Sequence, residues 1–343
     1  MSHEKMVLPI NINLSKNVRR VIFASIILCA TGGSRIAQAE ANWMSFTFDN
    51  DVFVGTDNSY TNGMFFSWYD TAANNKPEPG FFARAMLWSL PEGEPQLTVS
   101  ARTVGQVMST PEDIDVVDPP PDDLPYAGLL FYSDTFIAVQ QNHADKISTT
   151  IGILGPASLA EDTQDLVHQI TDSEDPKGWD TQLENELVFQ FARARTWRTW
   201  ASDTGNMDIL LGSEATLGTI QSSVGASAMF RYGRQLHSSF GTSLLASGKT
   251  ANPIATDRGW YLFAGTSFRY VFNQIFFDGN TYRDSRSIDY DHEQVSLTAG
   301  IAYSWKDLSI TFAINDLNVI AEESREEQEE LSEYGTLTVA WRH

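Results

Sequence analysis

Polar side chains cluster near the turn of a predicted hairpin in FDNDVFVGTDNSYTNGMFFSWYD, residues 48–70, whose strands are otherwise rich in aromatic residues. Asn50 and Asp51 are on the first strand, and Thr61 is at the start of the second. Amide, carboxylate and hydroxyl groups of this kind either shape a turn or bind a polar ligand. Because side chains alternate across a strand, Asn50 shares a face with Phe48, and Asp51 lies on the opposite face. An amide in an apolar, lipid-facing row is costly unless another part of the chain covers it.

A histidine stands among carboxylates in LAEDTQDLVHQI, residues 159–170, which we predict to be helical. At about 100° per residue the apolar residues gather on one side, and His168 falls nearly opposite them. The histidine side chain ordinarily titrates near neutral pH, which suits proton transfer. Three interpretations are open. His168 is an exposed surface group, or the helix presses its apolar side on lipid and turns His168 along a protein wall, or the helix ends before His168.

Residues 1–39 form a predicted secretory signal peptide. A basic stretch that contains Lys16 and Arg20 precedes the apolar run VIFASIILCA and the small-residue sequence AQA, which ends just before Glu40. An apolar run of about ten residues is too short to be a stable membrane anchor. Cys29 is the single cysteine and is expected to leave with this segment. We therefore predict an exported mature chain without disulfides.

The predicted mature chain is strongly acidic. Residues 40–343 contain 18 Lys and Arg against 43 Asp and Glu, a net charge of −25. This balance argues against a nucleic-acid partner, because phosphate binding requires clustered Lys and Arg. It fits equally well a role in binding divalent cations and plain solubility in a salty medium.

Alternation with a period of two residues dominates the mature chain. Aromatic residues make up 12% of the sequence and recur at alternate positions, as in WMSFTFDNDVF and GWYLFAGTSFRYVF. No stretch after residue 40 approaches the roughly 20 apolar residues of a membrane helix. The alternation predicts twelve strands, near 43–54, 60–69, 96–108, 127–140, 146–155, 183–196, 207–219, 223–233, 259–272, 293–304, 307–316 and 334–342.

Export, alternation, interfacial aromatic residues and an even strand count together predict an all-β fold, a transmembrane antiparallel barrel of about twelve strands in the outer membrane of a Gram-negative bacterium. The last segment, YGTLTVAWRH, puts Leu337, Val339 and Trp341 on one face, as the closing strand of such a barrel would. A soluble all-β protein of the periplasm is the alternative. The barrel is expected to span residues 40–343.

With the N-terminus in the periplasm, the connections after odd-numbered strands lie outside the cell. The outer connections are then 55–59, 109–126, 156–182, 220–222, 273–292 and 317–333. The hairpin turn and the segment of His168 therefore share one rim. The inner connections at 70–95 and 234–258 are long for periplasmic turns, so one of them could contain a further pair of strands.

Several motifs resemble those of a known family. NDVF…DNSYTNG in the hairpin, DDLPYAG at the start of a strand, and GP…AEDTQDLVHQI…PKGWDTQLENE look like the lipid A 3′-O-deacylase (LpxR-type) family of outer-membrane barrels. The resemblance covers most of the mature chain in order, and the segment around His168 is its most specific part. It implies a twelve-stranded barrel, with a short helix in an outer loop and an active site near the extracellular face. The implied activity is hydrolysis of an acyl ester of lipid A or lipopolysaccharide.

The resemblance also implies roles for five residues. Asn50 and Asp51 match the polar pair of the first strand, and Thr61 matches the hydroxyl residue of the second. His168 matches the catalytic histidine, and Glu174 matches the acidic residue that follows it. The implied mechanism uses water activated by the histidine and a calcium ion (Ca²⁺), nearest to Asp51 and Asn50, that stabilises the oxyanion. Thr61 would position substrate or water, and Glu174 would orient the imidazole or serve the metal.

Two other functions are open from the sequence. A phospholipase with a serine nucleophile fits the same membrane, although there is no G-x-S-x-G motif and Ser59 and Ser67 have no base nearby in sequence. A non-enzymatic pore or cation-binding barrel is the other. The acidic stretch 109–125 contains no Lys or Arg, so it does not favour direct binding of lipid phosphates unless divalent ions bridge the charges.

Overall fold

A computed structural model describes residues 43–50, 62–72, 79–171, 176–239, 258–317 and 333–342. These residues form a closed barrel of twelve antiparallel strands, in which each strand pairs with the next and the last pairs with the first. The strands are β1 (Trp43–Asn50), β2 (Asn62–Ala72), β3 (Leu97–Ser109), β4 (Ala127–Val139), β5 (His143–Leu154), β6 (Glu186–Ala201), β7 (Met207–Gly218), β8 (Gln221–Gly233), β9 (Arg258–Gln274), β10 (Glu293–Trp305), β11 (Leu308–Leu317) and β12 (Glu333–Arg342). The predicted fold and strand count are confirmed. The predicted signal peptide lies outside the described residues.

Short helices occupy parts of the connections. The α-helices are α1 (Ala160–Thr171), α2 (Leu236–Ser239) and α3 (Ile275–Asp278), and 3₁₀ turns cover Ala83–Ser89, Pro156–Ser158 and Trp179–Thr181. No helix in the described ranges is long and apolar enough to cross a membrane. The described part of the long inner connection 70–95 contains a 3₁₀ helix and no additional strand pair. Residues 240–257 of the other long inner connection lie outside the described ranges.

Strand register separates the two faces of the barrel wall. Phe46 is opposite Phe66 on one side and Val339 on the other, and it belongs to an outward row of exposed side chains. Thr47 points inward, where its hydroxyl hydrogen-bonds to that of Thr338 at 2.9 Å. Leu337, Val339 and Trp341 share the outward face, as predicted. The other exposed outward residues include Leu187, Phe189, Leu211, Leu217, Phe230, Leu262, Ile301 and Ile310. An apolar outer belt around a polar inner face is the pattern of a membrane-spanning barrel.

A buried apolar cluster fills the lumen towards one end of the barrel. It takes side chains from all twelve strands, among them Ile137, Leu210 and Phe263. Beside it, Arg231 is fully buried and donates from Nε and Nη2 to the Asp208 carboxylate at 2.8 and 2.6 Å. A porin needs a water-filled lumen, whereas the described residues form a packed core at this level. This packing argues against the pore.

The connections differ between the two ends of the barrel. Five long connections lie at one end, which we call the long-loop rim: 51–61, 110–126, 155–185, 275–292 and 318–332. At the other end, the short-turn rim, three connections have only two to five residues: 140–142, 202–206 and 306–307. The β1–β2 connection and α1 share the long-loop rim, in agreement with the sequence prediction. Outer-membrane barrels usually turn their long loops outside and their short turns to the periplasm.

Candidate functional site

Asn50 is the last described residue of β1 and lies on the outward face of the wall. It pairs with Gly335 of β12 and follows Phe48 in the outward row. Although this row faces lipid, Asn50 is only 9% exposed. The amide is therefore covered, as an amide in such a row has to be. Asp51 and Thr61 lie outside the described residues, so their roles stay predictions.

Asn50 lies at the same level of the outer wall as the residues of β3 and β4 on which the loop helix α1 packs. The β1–β2 register makes Asn50 level with Asn62, which pairs with Met108 of β3. Met108 in turn pairs with Gly128 of β4. Since neighbouring strands are about 4.8 Å apart, the backbones at Asn50 and Met108 are separated by roughly 10 Å across the wall.

A tight turn carries the chain from β5 to the outer side of the wall. Gly155 donates its N–H to the carbonyl of Gly128 at 2.8 Å and has a φ of 91°. A Cβ at this position would also come within 3.0 Å of the backbone of residues 183–185, so both conformation and space require glycine. Leu159 follows with a φ of 64°, a left-handed conformation that few residues other than glycine adopt. This turn determines where α1 begins.

Helix α1 packs on the outward faces of β3 and β4. Gln106, an outward residue of β3, donates from Nε2 to the carbonyl of Ser158 at 2.7 Å. At Gly128, also outward, a Cβ would lie within 3.0 Å of the Ser158 hydroxyl and of the Ala160 Cβ. The helix therefore sits on the lipid side of the wall, and glycine permits its close approach.

Small and polar residues form the wall-facing side of α1. Ala160 and Gln164 are buried, whereas Leu166 is 43% exposed. His168 comes four residues after Gln164, about 40° further round the helix, and is half-buried at the edge of that side. The exposure of Leu166 fits the interpretation in which the apolar side faces lipid, and the role of His168 stays a prediction. The helix also continues past His168 to Thr171.

The segment after α1 braces the helix. Trp179 is buried and donates its indole N–H to Oε1 of Gln164 at 2.8 Å. Its ring centroid lies 5.1 Å from that of Tyr126, and both rings pack with Met108 and Ala160. Burial raises the pKa of the Tyr126 hydroxyl. The motifs DDLPYAG and GW contain these two aromatic residues, but no sequence pattern indicates that Gln164 joins them.

A second brace ties the loop that contains α3 to the start of β6. The buried carboxylate of Glu186 accepts hydrogen bonds from Asn280 Nδ2 at 3.1 Å and from the backbone N–H of Thr281 at 3.0 Å. Asn280 in turn accepts from the backbone N–H of Glu184 at 3.0 Å. The motif ENE contains Glu184 and Glu186, and sequence reasoning missed their role because the partner lies 94 residues further along the chain.

Acidic side chains of the loop between β3 and β4 form ion pairs with basic side chains of other loops. Asp115 forms an ion pair with Lys177 at 2.8 Å, and Asp118 forms one with Arg286 at 2.8 Å. The Asp123 carboxylate accepts backbone N–H groups of Leu124 and Glu112, and burial raises its pKa. The sequence could not show this pairing, because the two cations belong to distant connections. These acids therefore shape and join loops.

No group of three or more His, Cys, Asp or Glu in the described ranges is arranged to hold a metal ion. Asp51, the acid that the family resemblance places nearest to calcium, and Glu174 lie outside those ranges. Asn50 supplies an amide group whose oxygen is a hard donor of the kind that Ca²⁺ prefers. Asn50 is the described member of the pair that the resemblance places at the ion, and calcium binding stays a prediction.

One of the two serines near the hairpin faces the wrong side of the wall for a site at α1. Ser67 lies on the inward face, and its hydroxyl hydrogen-bonds to that of Thr103 at 2.8 Å. Asn50 and α1 are on the outward face. Ser59 lies outside the described residues. The position of Ser67 thus argues against its use as a nucleophile on membrane lipids.

Comparison with known proteins agrees with the barrel. The family described as "Outer membrane protein LpxR" matches residues 21–343. Among solved structures, LpxR from Salmonella typhimurium superposes with a TM-score of 0.68 at 13% identity, over 87% of this chain and 99% of that chain. The beta domain of the Bordetella autotransporter BrkA has a TM-score of 0.42 at 9% identity, over 88% and 97% of the two chains. No curated protein sequence matches. At 13% identity the likeness to the Salmonella protein concerns the fold.

Proposed function

This chain belongs to the LpxR family of outer membrane proteins, and from that premise we propose that it hydrolyses an ester-linked acyl chain of lipid A. The barrel lies in the outer membrane, where this substrate is found in the outer leaflet. The observation that carries the proposal is the position of α1 on the lipid side of the wall. A lipid in the membrane reaches a site there laterally, without entering the packed lumen.

In the proposed reaction His168 is the general base. It takes a proton from a water molecule as the water oxygen attacks the carbonyl carbon of the acyl ester. The ester C–O bond then breaks, the fatty acid leaves, and the sugar hydroxyl takes up a proton. Such proton transfer contributes roughly 10²- to 10⁴-fold in rate. Glu174 either orients the imidazole or serves the metal, and Thr61 positions substrate or water.

Asn50 and Asp51 are the residues proposed to hold calcium. When bound, this ion supplies the positive charge that stabilises the oxyanion of the tetrahedral intermediate. The side chain of Asn50 offers an amide oxygen, a donor of the kind that Ca²⁺ takes in proteins. The ion would also offset the negative charge of lipid phosphates at an acidic rim.

Mass spectrometry of lipid A tests the proposed function. Membranes from a Gram-negative host with and without expression of this chain would be compared, with heat-modifiable migration on gels as evidence that the barrel is folded. We expect lipid A species that have lost one ester-linked acyl chain, together with the free fatty acid. Unchanged lipid A beside a folded barrel would contradict the proposal.

Two further measurements separate the alternatives. A serine-directed phosphonate that labels the protein and stops lipid turnover would favour the phospholipase. Ion conductance without lipid turnover would favour the pore. We expect neither result, because Ser67 faces the lumen and an apolar cluster fills the lumen in the described part of the barrel.

A further inference from the structure

The connection between β2 and β3 folds back onto the outside of the barrel. Residues 79–95, which we call the strap, leave the short-turn rim and run across the outward faces of β4 and β5. Their 3₁₀ helix, Ala83–Ser89, lies against the wall. The strap is on the same outer surface as α1 but belongs to the opposite rim, so the proposed active site does not account for it.

Hydrogen bonds fasten the strap to polar groups of the outer wall. Asp134 of β4 is buried, and its carboxylate accepts the backbone N–H groups of Phe82 and Ala83 at 3.0 and 3.2 Å. The hydroxyl of Thr149 on β5 donates to the carbonyl of Phe82 at 3.2 Å. Asp134 and Thr149 are register partners on the outward face. An uncovered carboxylate at that position would face lipid at a high energetic cost.

The far end of the strap reaches a charged cluster on the next strand. Arg193 of β6 donates from Nε to the carbonyl of Ser89 at 3.4 Å and from Nη2 to Asp145. Arg195 also donates to Asp145, at 2.7 Å from Nε. Asp145 is fully buried, although its register partner Arg195 belongs to the outward face of the wall. The strap thus joins a polar area of the outer wall that extends over three strands.

The two sides of the strap differ in exposure. Ala83 is buried with Phe136, Ala138 and Ile147 of the wall, and Met86 and Leu90 pack against the same cluster. The opposite side presents Phe81 and Trp88, which are 81% and 85% exposed. Two aromatic residues so exposed within eight positions are unusual on a surface in contact with water.

The strap lies at the height of the lipid-facing belt. Asp134 is five residues from the end of β4 at the short-turn rim, which corresponds to roughly 16 Å along the strand. Two exposed outward residues lie towards the same rim, Trp197 on the adjacent strand β6 and Phe230 further round the wall on β8. Phe81 and Trp88 are thus continuous with the apolar belt. Because short turns face the periplasm, this half of the belt contacts the inner leaflet.

We propose that the part of the strap from Phe81 to Ser89 is immersed in the phospholipid leaflet on the periplasmic side of the outer membrane, and that its end at Glu92 lies in water. Phe81, Leu87 and Trp88 contact lipid, and the inner side of the strap shields the carboxylate of Asp134 from it. Aromatic residues concentrate at this depth in membrane barrels. This inference depends on the barrel and its orientation and does not depend on the deacylase activity.

Spin labelling of the mature barrel tests the proposal. Cys29, the single cysteine, belongs to the predicted signal peptide, so the mature chain accepts one label at a time at Phe81→Cys or Trp88→Cys. The barrel would be reconstituted in vesicles of phosphatidylethanolamine and phosphatidylglycerol, and collisions of the label with oxygen and with a water-soluble nickel chelate would be measured. We expect both sites to favour oxygen severalfold over nickel. Both residues are exposed, so the substitutions leave the packed side of the strap intact.

Two matched sites calibrate the measurement. Phe230→Cys reports the lipid-facing wall near the same rim, and Glu92→Cys reports the exposed end of the strap. Position 88 should resemble position 230 and differ from position 92. A label at position 88 that favours nickel would overturn the proposal, because the strap would then be in water. Low collision with both reagents would also overturn it, since protein, such as a second copy of the chain, would then cover the strap.

Discussion

Gly128 of β4 and Ala160 of α1 are in such close contact that a Cβ at position 128 would lie within 3.0 Å of the Ala160 Cβ. Gly128 faces outward, so this contact joins the lipid side of the wall to the first residue of the helix that contains His168. A larger residue fits only if α1 moves or β4 bends. The distance of His168 from the wall therefore depends on a glycine in the strand.

Gly128→Ala should lift the start of α1 from the wall. We expect lipid deacylation to fall roughly 10- to 100-fold, because small displacements of a catalytic group are costly in rate. Heat-modifiable migration should persist, since strand pairing uses backbone groups. Release of fatty acid from lipid A in detergent micelles measures the rate. Adding Ala160→Gly should restore part of it, and a wild-type rate for Gly128→Ala alone would show that the helix position does not matter.

Trp179→Phe should loosen α1 while preserving most of the packing with Tyr126. The change leaves Oε1 of Gln164 buried without its donor, which costs about 1–3 kcal/mol. We expect faster proteolytic cleavage within residues 155–185 and a lower deacylation rate from an intact barrel. Removing both partners in Trp179→Phe with Gln164→Leu should reverse part of the proteolytic sensitivity. Equal cleavage rates for wild type and Trp179→Phe would contradict this role of the hydrogen bond.

The barrel was predictable from sequence because alternation is a local property. Phe46 and Thr47 point to opposite faces whatever the rest of the chain does, and lipid outside with polar groups inside makes the pattern strong. The strap at 79–95 was not predictable. Its 3₁₀ helix is short, and what holds it is the Asp134 carboxylate about 50 residues away in the chain.

Candidate site residues could be named from the sequence, but the arrangement of the segments around them could not. The apolar pattern of α1 did not decide which side meets the protein, because in a membrane the apolar side of a helix can face lipid, and Leu166 is exposed. The partner of Gln164 lies 15 residues later, in a turn with no helical or strand periodicity. Because an amide in lipid is costly, the sequence predicts that Asn50 is buried. It does not show which part of the chain covers this residue.

Calcium removal should abolish deacylation by the folded barrel. Without the ion, no positive charge would stabilise the negative oxyanion. We therefore expect the deacylation rate to fall at least about 100-fold in excess chelator, which is comparable to the removal of one oxyanion donor. Added Ca²⁺ should restore activity. Asp51→Ala and Asn50→Ala should each require more Ca²⁺ for half-maximal rate, whereas Asp115→Asn, in the neighbouring acidic loop, should not. Full activity in excess chelator would leave the calcium assignment without support.

His168→Gln should reduce deacylation of lipid A at least about 100-fold, because glutamine keeps a polar side chain of similar size but cannot accept the proton of the attacking water. Folding should not change, since His168 lies on a loop helix outside the wall, and heat-modifiable migration checks this. His237→Gln is the matched control, because His237 is exposed at the short-turn rim. Thr61→Ala should give an intermediate rate if its hydroxyl only positions substrate or water. A His168→Gln barrel that deacylates lipid A at nearly the wild-type rate would show that this histidine is only a surface group beside the wall.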